Sequence, residues 1–411
     1  MSTTIAEAPP GLFVERAHRV GRERLAEASE LPDGSLSWHP GYGAAFQPVP
    51  DSGIFNGRIG DALFLAALHA ATGDAQMREA ALRASAPLRA RMAAPGGPAG
   101  LLEEIGYGLT GVGSVVYAWV RMAGFLDEPA FLDDGRALAA VLTPESIALD
   151  RKYEVFWGTA GAALGLLALA GAEAAGGERW VAAAAACADH LVESRVVDPG
   201  SGLRAWPASG GPPETGFAHG SSGIAYALLE VHRRTRDERF REAALETFAH
   251  ERALFREHLM DWPDHREQPD EKVMTSWCHG APGVGLSRLG ALHDLREEDE
   301  SEVVGDLLAA LRKTAQRVTR TSDNLCCGNF GRMDFLLEAG RRLGNASLER
   351  QAQAAALQRV ASAEKHPFVV PEHGADGEHF RTGLWQGTPG IGYQLLRLDD
   401  PARFPSLLLL A

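Results

Sequence analysis

Apolar residues gather in seven short runs along the chain: DALFLAALHA, VGSVVYAWV, AALGLLALA, IAYALLEV, VGLSRLGAL, RMDFLLEAG and IGYQLLRL. Between these runs, apolar residues recur three and four apart and charges fall on the other face, as in 74–92, 178–194, 237–254, 300–318 and 346–362. The first pattern predicts helices buried on nearly all sides. The second predicts amphipathic helices with one solvated face. Residues 13–29 supply one more amphipathic helix ahead of the first run. The Ala- and Gly-rich stretch 159–176 reads as a helix packed tightly all round.

A Gly-x-x-Gly pair opens each apolar run. The pairs are Gly57/Gly60, Gly108/Gly111, Gly158/Gly161, Gly220/Gly223, Gly280/Gly283, Gly328/Gly331 and Gly387/Gly390. Successive first glycines lie 51, 50, 62, 60, 48 and 59 residues apart. Self-similarity at such a period signals a repeat architecture. Each unit reads as an outer helix, a loop, a glycine turn and an apolar inner helix. Seven outer and seven inner helices can close into a ring. Helix N-termini normally carry Ser, Thr, Asp or Asn. Gly in that place permits unusual dihedrals and close backbone approach. The Gly/Pro stretches 95–100 and 207–216 fit loops inside repeats, and no low-complexity segment divides the chain. A single domain over 1–411 is expected, with 1–12 as a flexible N-terminal arm.

Composition narrows the function classes. The 411 residues are 45% hydrophobic and 23% charged, with a net charge of -14. Such a balance argues against nucleic acid or an anionic membrane as the main partner. The N-terminus lacks a basic start followed by an apolar core, so no signal peptide is expected. No charge-free apolar stretch reaches about 18 residues, so no membrane span is expected. Only four cysteines occur, two of them adjacent. Sparse cysteine fits a reducing, cytoplasmic location.

The repeat register locates the chemistry. The residue before the first glycine is Asn56, Tyr107, Trp157, His219, His279, Cys327 or Gln386. The residue two before is Phe55, Gly106, Phe156, Ala218, Cys278, Cys326 or Trp385. Cys278 and Cys326 therefore occupy equivalent places in repeats five and six, and Cys327 stands where repeats four and five carry histidine. These thiols and imidazoles, distant in sequence, should converge at one end of the ring. Three thiolates with one open position describe a catalytic zinc site, and soft sulfur disfavours magnesium, calcium and manganese. One zinc ion held by Cys278, Cys326 and Cys327 is expected. Cys187, mid-helix in AAAAACADHL, reads as a small buried hydrophobe.

At these residues the sequence resembles the lanthionine synthetase C-like family, the LanC cyclases and the cyclase domain of LanM enzymes. The matching pieces are GFAHGSSGIAYALL, MTSWCHGAPGVGL, NLCCGNFGRMDFLLE and GLWQGTPGIGYQLLRL, with fainter matches in FNGRIGDALFLAAL and YEVFWGTAGAALGLLAL. Together they span all seven repeats. The resemblance implies an all-α fold, an α/α toroid. It also implies a substrate, a precursor peptide in which Ser and Thr have become dehydroalanine and dehydrobutyrine. A peptide cysteine takes the open zinc position and adds to the dehydro residue, forming a lanthionine or methyllanthionine thioether. An unbound thiol, with a pKa near about 8.5, is mostly protonated at neutral pH, and coordination to zinc removes that proton.

The resemblance makes His219 the general acid that returns a proton to the α-carbon. His279 either donates to the enolate, hydrogen-bonds a thiolate or packs. Glu154 sits where the family tends to carry Asp, and either orients His219 or is an ordinary loop carboxylate. The family's usual third ligand is a histidine in a CHG turn. Here the turn is CCG, as in a subset of LanM cyclases, and the extra thiolate is expected to make the bound thiol more nucleophilic. LanC members can carry arginine four residues before the first zinc cysteine, where this chain has Met274. The chain begins too near its first repeat to hold a LanM dehydratase domain, so it is expected to be a stand-alone cyclase or a fragment, with a separate dehydratase as partner. Two rival readings share the site: addition of glutathione to dehydroamino acids, and a zinc-stabilised scaffold that presents a peptide to the dehydratase. Glycosidase chemistry would need paired carboxylates across the cavity, and the seven turns hold no acidic pair.

Overall fold

A computed structural model describes residues 8–38, 52–55, 57–173, 175–207, 213–264, 273–319, 322–370 and 383–410. In chain order its helices are α1 (Leu12–Glu27), α2 (Arg58–Thr72), α3 (Ala75–Ala93), α4 (Gly97–Ile105), α5 (Val112–Leu126), α6 (Ala130–Ala139), α7 (Pro144–Ile147) and α8 (Thr159–Ala172). They continue as α9 (Glu178–Glu193), α10 (Ser221–Thr235), α11 (Glu238–Ala253), α12 (Ala281–Ala291), α13 (Glu297–Gln316), α14 (Asn329–Leu343), α15 (Ala346–Ala363) and α16 (Thr388–Asp399). Two short antiparallel ribbons complete the described residues, Ser29–Glu30 with Leu36–Ser37 and Val196–Val197 with Arg204–Ala205.

The seven apolar runs are α2, α5, α8, α10, α12, α14 and α16. Each packs on the next, and α16 packs on α2, so the inner helices close into a ring. Their burial explains their composition: every residue of α12, and Asn329–Gly340 of α14, is buried. The outer layer is α1, α3, α6, α9, α11, α13 and α15, each with one buried face. The fold is therefore an α/α toroid with seven inner and seven outer helices. The hairpin is phased differently from the sequence reading. Each inner helix pairs most extensively with the outer helix that follows it, and α1 pairs with α16. The amphipathic stretch 13–29 thus covers the last inner helix. Of the expected N-terminal arm, residues 1–7 lie outside the described residues.

Six of the seven glycine turns match the sequence register. There the first glycine is the N-cap, as at Gly158 and Gly220. A side chain on the second would collide with the carbonyl oxygen six residues earlier, as at Gly161 against Val155 (2.2 Å) and Gly283 against Trp277 (2.1 Å). Repeat two departs from the register. Its N-cap is Gly111, so the pair there is Gly111 and Ser114. The residues in register are consequently Thr110 and Leu109, not Tyr107 and Gly106. Gly108 has another reason to be glycine: a Cβ there would lie 2.4 Å from Val155 O in the next turn. The Gly/Pro stretch 95–100 also differs from expectation. Its second half opens α4, where Gly96 takes a left-handed conformation and Pro98 sets the first turn.

A glycine N-cap has no side chain to satisfy the first N–H groups, and carboxylates from elsewhere do so. Asp150 accepts from Thr159 N (2.8 Å), Asp261 from Ala281 N (2.7 Å) and Glu251 from Ser222 N (3.0 Å). The far end of the ring is filled by the chain's last segment. Phe404 and Leu407–Leu410 are buried, Arg397 and Tyr393 donate to Phe404 O and Pro405 O, and the Trp277 indole donates to Leu408 O at 3.1 Å. Beside Leu409 and Leu410 remains a cavity of about 420 Å³.

Candidate metal centre

The N-terminal turns of the inner helices bond sideways around the ring. Leu109 N donates to Val155 O (2.9 Å), Phe156 N to Ala218 O (3.0 Å), Phe217 N to Trp277 O (3.1 Å), Leu325 N to Trp385 O (3.0 Å) and Trp385 N to Phe55 O (3.2 Å). Among the described residues no such bond joins turns five and six. At that junction the three thiols meet instead. Cys278 Sγ lies 3.2 Å from Cys327 Sγ, and Cys327 Sγ lies 3.4 Å from Cys326 Sγ. All three sulfurs fall within 4.8 Å of one another, and none is in a disulfide.

The donor set fits a tetrahedral ion. With metal–sulfur bonds of about 2.3 Å, tetrahedral thiolates sit about 3.8 Å apart, between the shortest contact here and the outer limit. The thiols already share charge. Hydrogen bonds from Cys326 and Cys327 hold the Cys278 thiol well below its ordinary range, and hydrogen bonding to Cys278 pushes Cys326 well above it. Cys278 and Cys326 are buried, and Cys327 is partly exposed. The fourth cysteine, Cys187, is buried in α9, far up in pKa through loss of solvation.

The other three expected residues surround the thiols on one side. His279 is fully buried and its Nδ1 donates to Thr215 O at 3.2 Å, with Glu214 Oε2 at 3.6 Å. Its ring stacks on His219 at 5.2 Å and 14°. His219 is partly exposed, and its Nδ1 lies 3.2 Å from Glu154 Oε1. A carboxylate accepts, so the contact is a hydrogen bond when Nδ1 carries a proton. The Glu154 side chain is only 10% exposed, so its carboxylate is well placed to orient the ring. Gly216 lets turn four come this close. Its φ of 103° is unfavourable for other residues, and a Cβ would sit 2.4 Å from Cys278 O.

Three contributors were not visible as candidates in the sequence. Ser276 Oγ lies 3.2 Å from Cys278 Sγ and donates to His279 O, which fixes the WCHG turn. Asn324 Oδ1 accepts Cys327 N at 2.7 Å. Arg332, buried in α14, donates to Thr275 O (3.2 Å) and Cys327 O (3.1 Å), so it staples turns five and six beneath the thiols. Arg332 does not take the place of a cation at Met274: its guanidinium is spent on these carbonyls and on Asn329 Oδ1 rather than open to the site. An arginine in an apolar run is a weak hint of a buried role, and that was the available signal.

The floor of the site is aromatic. Phe156 meets Phe55 edge-on at 4.6 Å, Phe55 stacks on Trp385 at 6.1 Å, and Trp385 meets Trp277 at 6.2 Å. These residues come from repeats three, one, seven and five, so they close the ring across its width. The thiols and imidazoles stand on this floor. Asn56, the register position in repeat one, lies outside the described residues.

Residues 48–409 match the family described as lanthionine synthetase C-like protein. Among solved structures, nisin cyclase is similar over 97% of this chain and 96% of its own, at 15% identity with a TM-score of 0.65. A sugar epimerase from a ruminal bacterium aligns over 71% of this chain and 87% of its own, at 11% identity with a TM-score of 0.49.

Proposed function

The chain belongs to the lanthionine synthetase C-like family, and on that premise we propose that it is a zinc-dependent cyclase of dehydrated precursor peptides. The observation that supports this reading is the meeting of three thiols with two stacked imidazoles over a closed aromatic floor. A floor that blocks the ring leaves a shallow site, which suits a segment of a long peptide.

Cys278, Cys326 and Cys327 would hold the ion. Zinc bound there would keep one position for a substrate thiol and favour its thiolate. The peptide sulfur bonds to the β-carbon of dehydroalanine or dehydrobutyrine, and the alkene electrons move toward the carbonyl as an enolate. His219 delivers a proton from Nε2 to the α-carbon, restoring the carbonyl. The thiol proton released at the start balances the one added, so product and substrate have equal mass. Glu154 keeps the His219 ring oriented and stabilises its cationic form. His279, fixed through Thr215 O, stacks behind His219 and shapes the space above the thiols. A dehydratase supplies the alkene.

The test is mass spectrometry of a dehydrated, cysteine-bearing peptide after incubation and thiol alkylation. Cyclisation leaves the mass unchanged and removes alkylatable thiol. An intact alkylatable thiol after full incubation overturns the proposal. A mass gain that needs added glutathione, with the peptide still linear, points to the intermolecular reaction.

A further inference from the structure

The position just before each helix N-cap faces the site in turns four to six, where it holds His219, His279 and Cys327. The same position in turn three is Trp157. It is 43% exposed, in a turn whose neighbours Val155, Phe156 and Gly158 are buried. Its ring lies 5.4 Å from His219 and 4.9 Å from Phe156. Trp157, His219 and His279 thus form a row of rings that leads to the thiols, and Trp157 is its solvent-facing end. An exposed indole beside the row of imidazoles offers a flat apolar face to a group bound there.

We infer that Trp157 is a binding subsite for the dehydro residue of the substrate. This rests on the cyclase reading above. A dehydroalanine or dehydrobutyrine unit is flat, because its alkene is conjugated with the carbonyl. A flat, electron-poor group stacks on an electron-rich indole, whereas the tetrahedral serine or threonine it came from does not. Seated on Trp157, the unit lies beside His219, which must reach its α-carbon. Phe156 backs the indole edge-on at 84° and limits its rotation. The Lys152 ammonium lies over the indole, 5.6 Å from its centroid, a cation–π contact that helps hold the ring in place. The subsite would therefore distinguish the dehydrated peptide from its unprocessed precursor before any bond forms.

The experiment measures binding and turnover with full-length protein. Two fluorescein-labelled peptides differ only in carrying dehydroalanine or serine, and both lack cysteine so that nothing reacts. Trp157→Ala should weaken the dehydroalanine peptide roughly tenfold and the serine peptide less than about twofold, with Trp157→Phe restoring most of the loss. In turnover of a cysteine-bearing peptide, Trp157→Ala should raise KM far more than it lowers kcat. Equal weakening of both peptides by Trp157→Ala overturns the inference, as does no weakening of either. Wild-type protein that cyclises but binds both peptides equally also overturns it, while leaving the cyclase reading intact. Wild-type protein that neither cyclises nor binds the dehydroalanine peptide overturns both.

Discussion

Turns two and three of the ring open inner helices on a glycine N-cap as turns five and six do, yet they are joined differently. Between turns two and three, Leu109 N and Thr110 N donate to Val155 O and Phe156 O at 2.9 and 3.1 Å. Between turns five and six that lateral bonding gives way to three sulfurs and to the Arg332 side chain. The first junction is complete in itself. The second, like the junction of turns one and two, shows no lateral backbone bond among the described residues, and it holds the three sulfurs. Glycine N-caps hold the scaffold at all seven turns, with remote carboxylates at three of them, and two positions per turn decide the chemistry.

The difference can be tested at decreasing scale. Cys326→Ala should break junction five/six as a metal site: zinc per chain, measured by atomic emission on purified protein, should fall from near one to near zero, and thioether formation should cease. A wild type without stoichiometric zinc would remove the basis for the contrast. His219→Ala should keep the metal and lower the cyclisation rate by about 10² to 10⁴, roughly 3–5 kcal/mol of barrier. Unchanged product yield would favour a scaffold over an enzyme.

Smaller effects separate scaffold from chemistry. Gly283→Ala forces a methyl against Trp277 O and should cost about 1–3 kcal/mol in denaturant unfolding. Gly124→Ala, which meets nothing within 4 Å, should change stability by less than about 1 kcal/mol, in the stabilising direction. Ser114→Gly should also cost less than about 1 kcal/mol, since repeat two already accepts a side chain there. Finally, chelation of the metal should speed amide exchange about tenfold in residues 276–284 and 324–331, while 106–114 and 153–161 stay as they are. Equal acceleration at both junctions would show that the sulfurs do not replace the missing backbone bonds.

Much of this was legible in the sequence because burial on all sides leaves a composition signature. The inner helices, their number and the convergence of Cys278, Cys326 and Cys327 follow from apolar runs opened by glycine. Repeat two misleads because it holds glycine at 106, 108 and 111, each for a different steric reason. Only the folded turns distinguish them: Val155 O of the neighbouring turn crowds Gly108, and Gly106 O of the same turn crowds Gly111. Pairing of His219 with Glu154 was one of two readings, since a carboxylate in a loop is usually solvated. Arg332 and Ser276 were hidden because a polar side chain carries no mark of burial in one dimension. The aromatic floor was hidden because its members come from four repeats that meet only when the ring closes.

That closure has a consequence for how the molecule comes into being. The helix that covers α16 is α1, so residues 12–27 wait for residues 388–399 before the circle is complete. Contacts between such distant segments are slow to form. Until α16 forms, α1 holds only its smaller contact with α2, where Arg24 pairs with Asp61. A permuted gene opened between α1 and α2, with α1 appended after α16, would turn the slowest contact into a local hairpin.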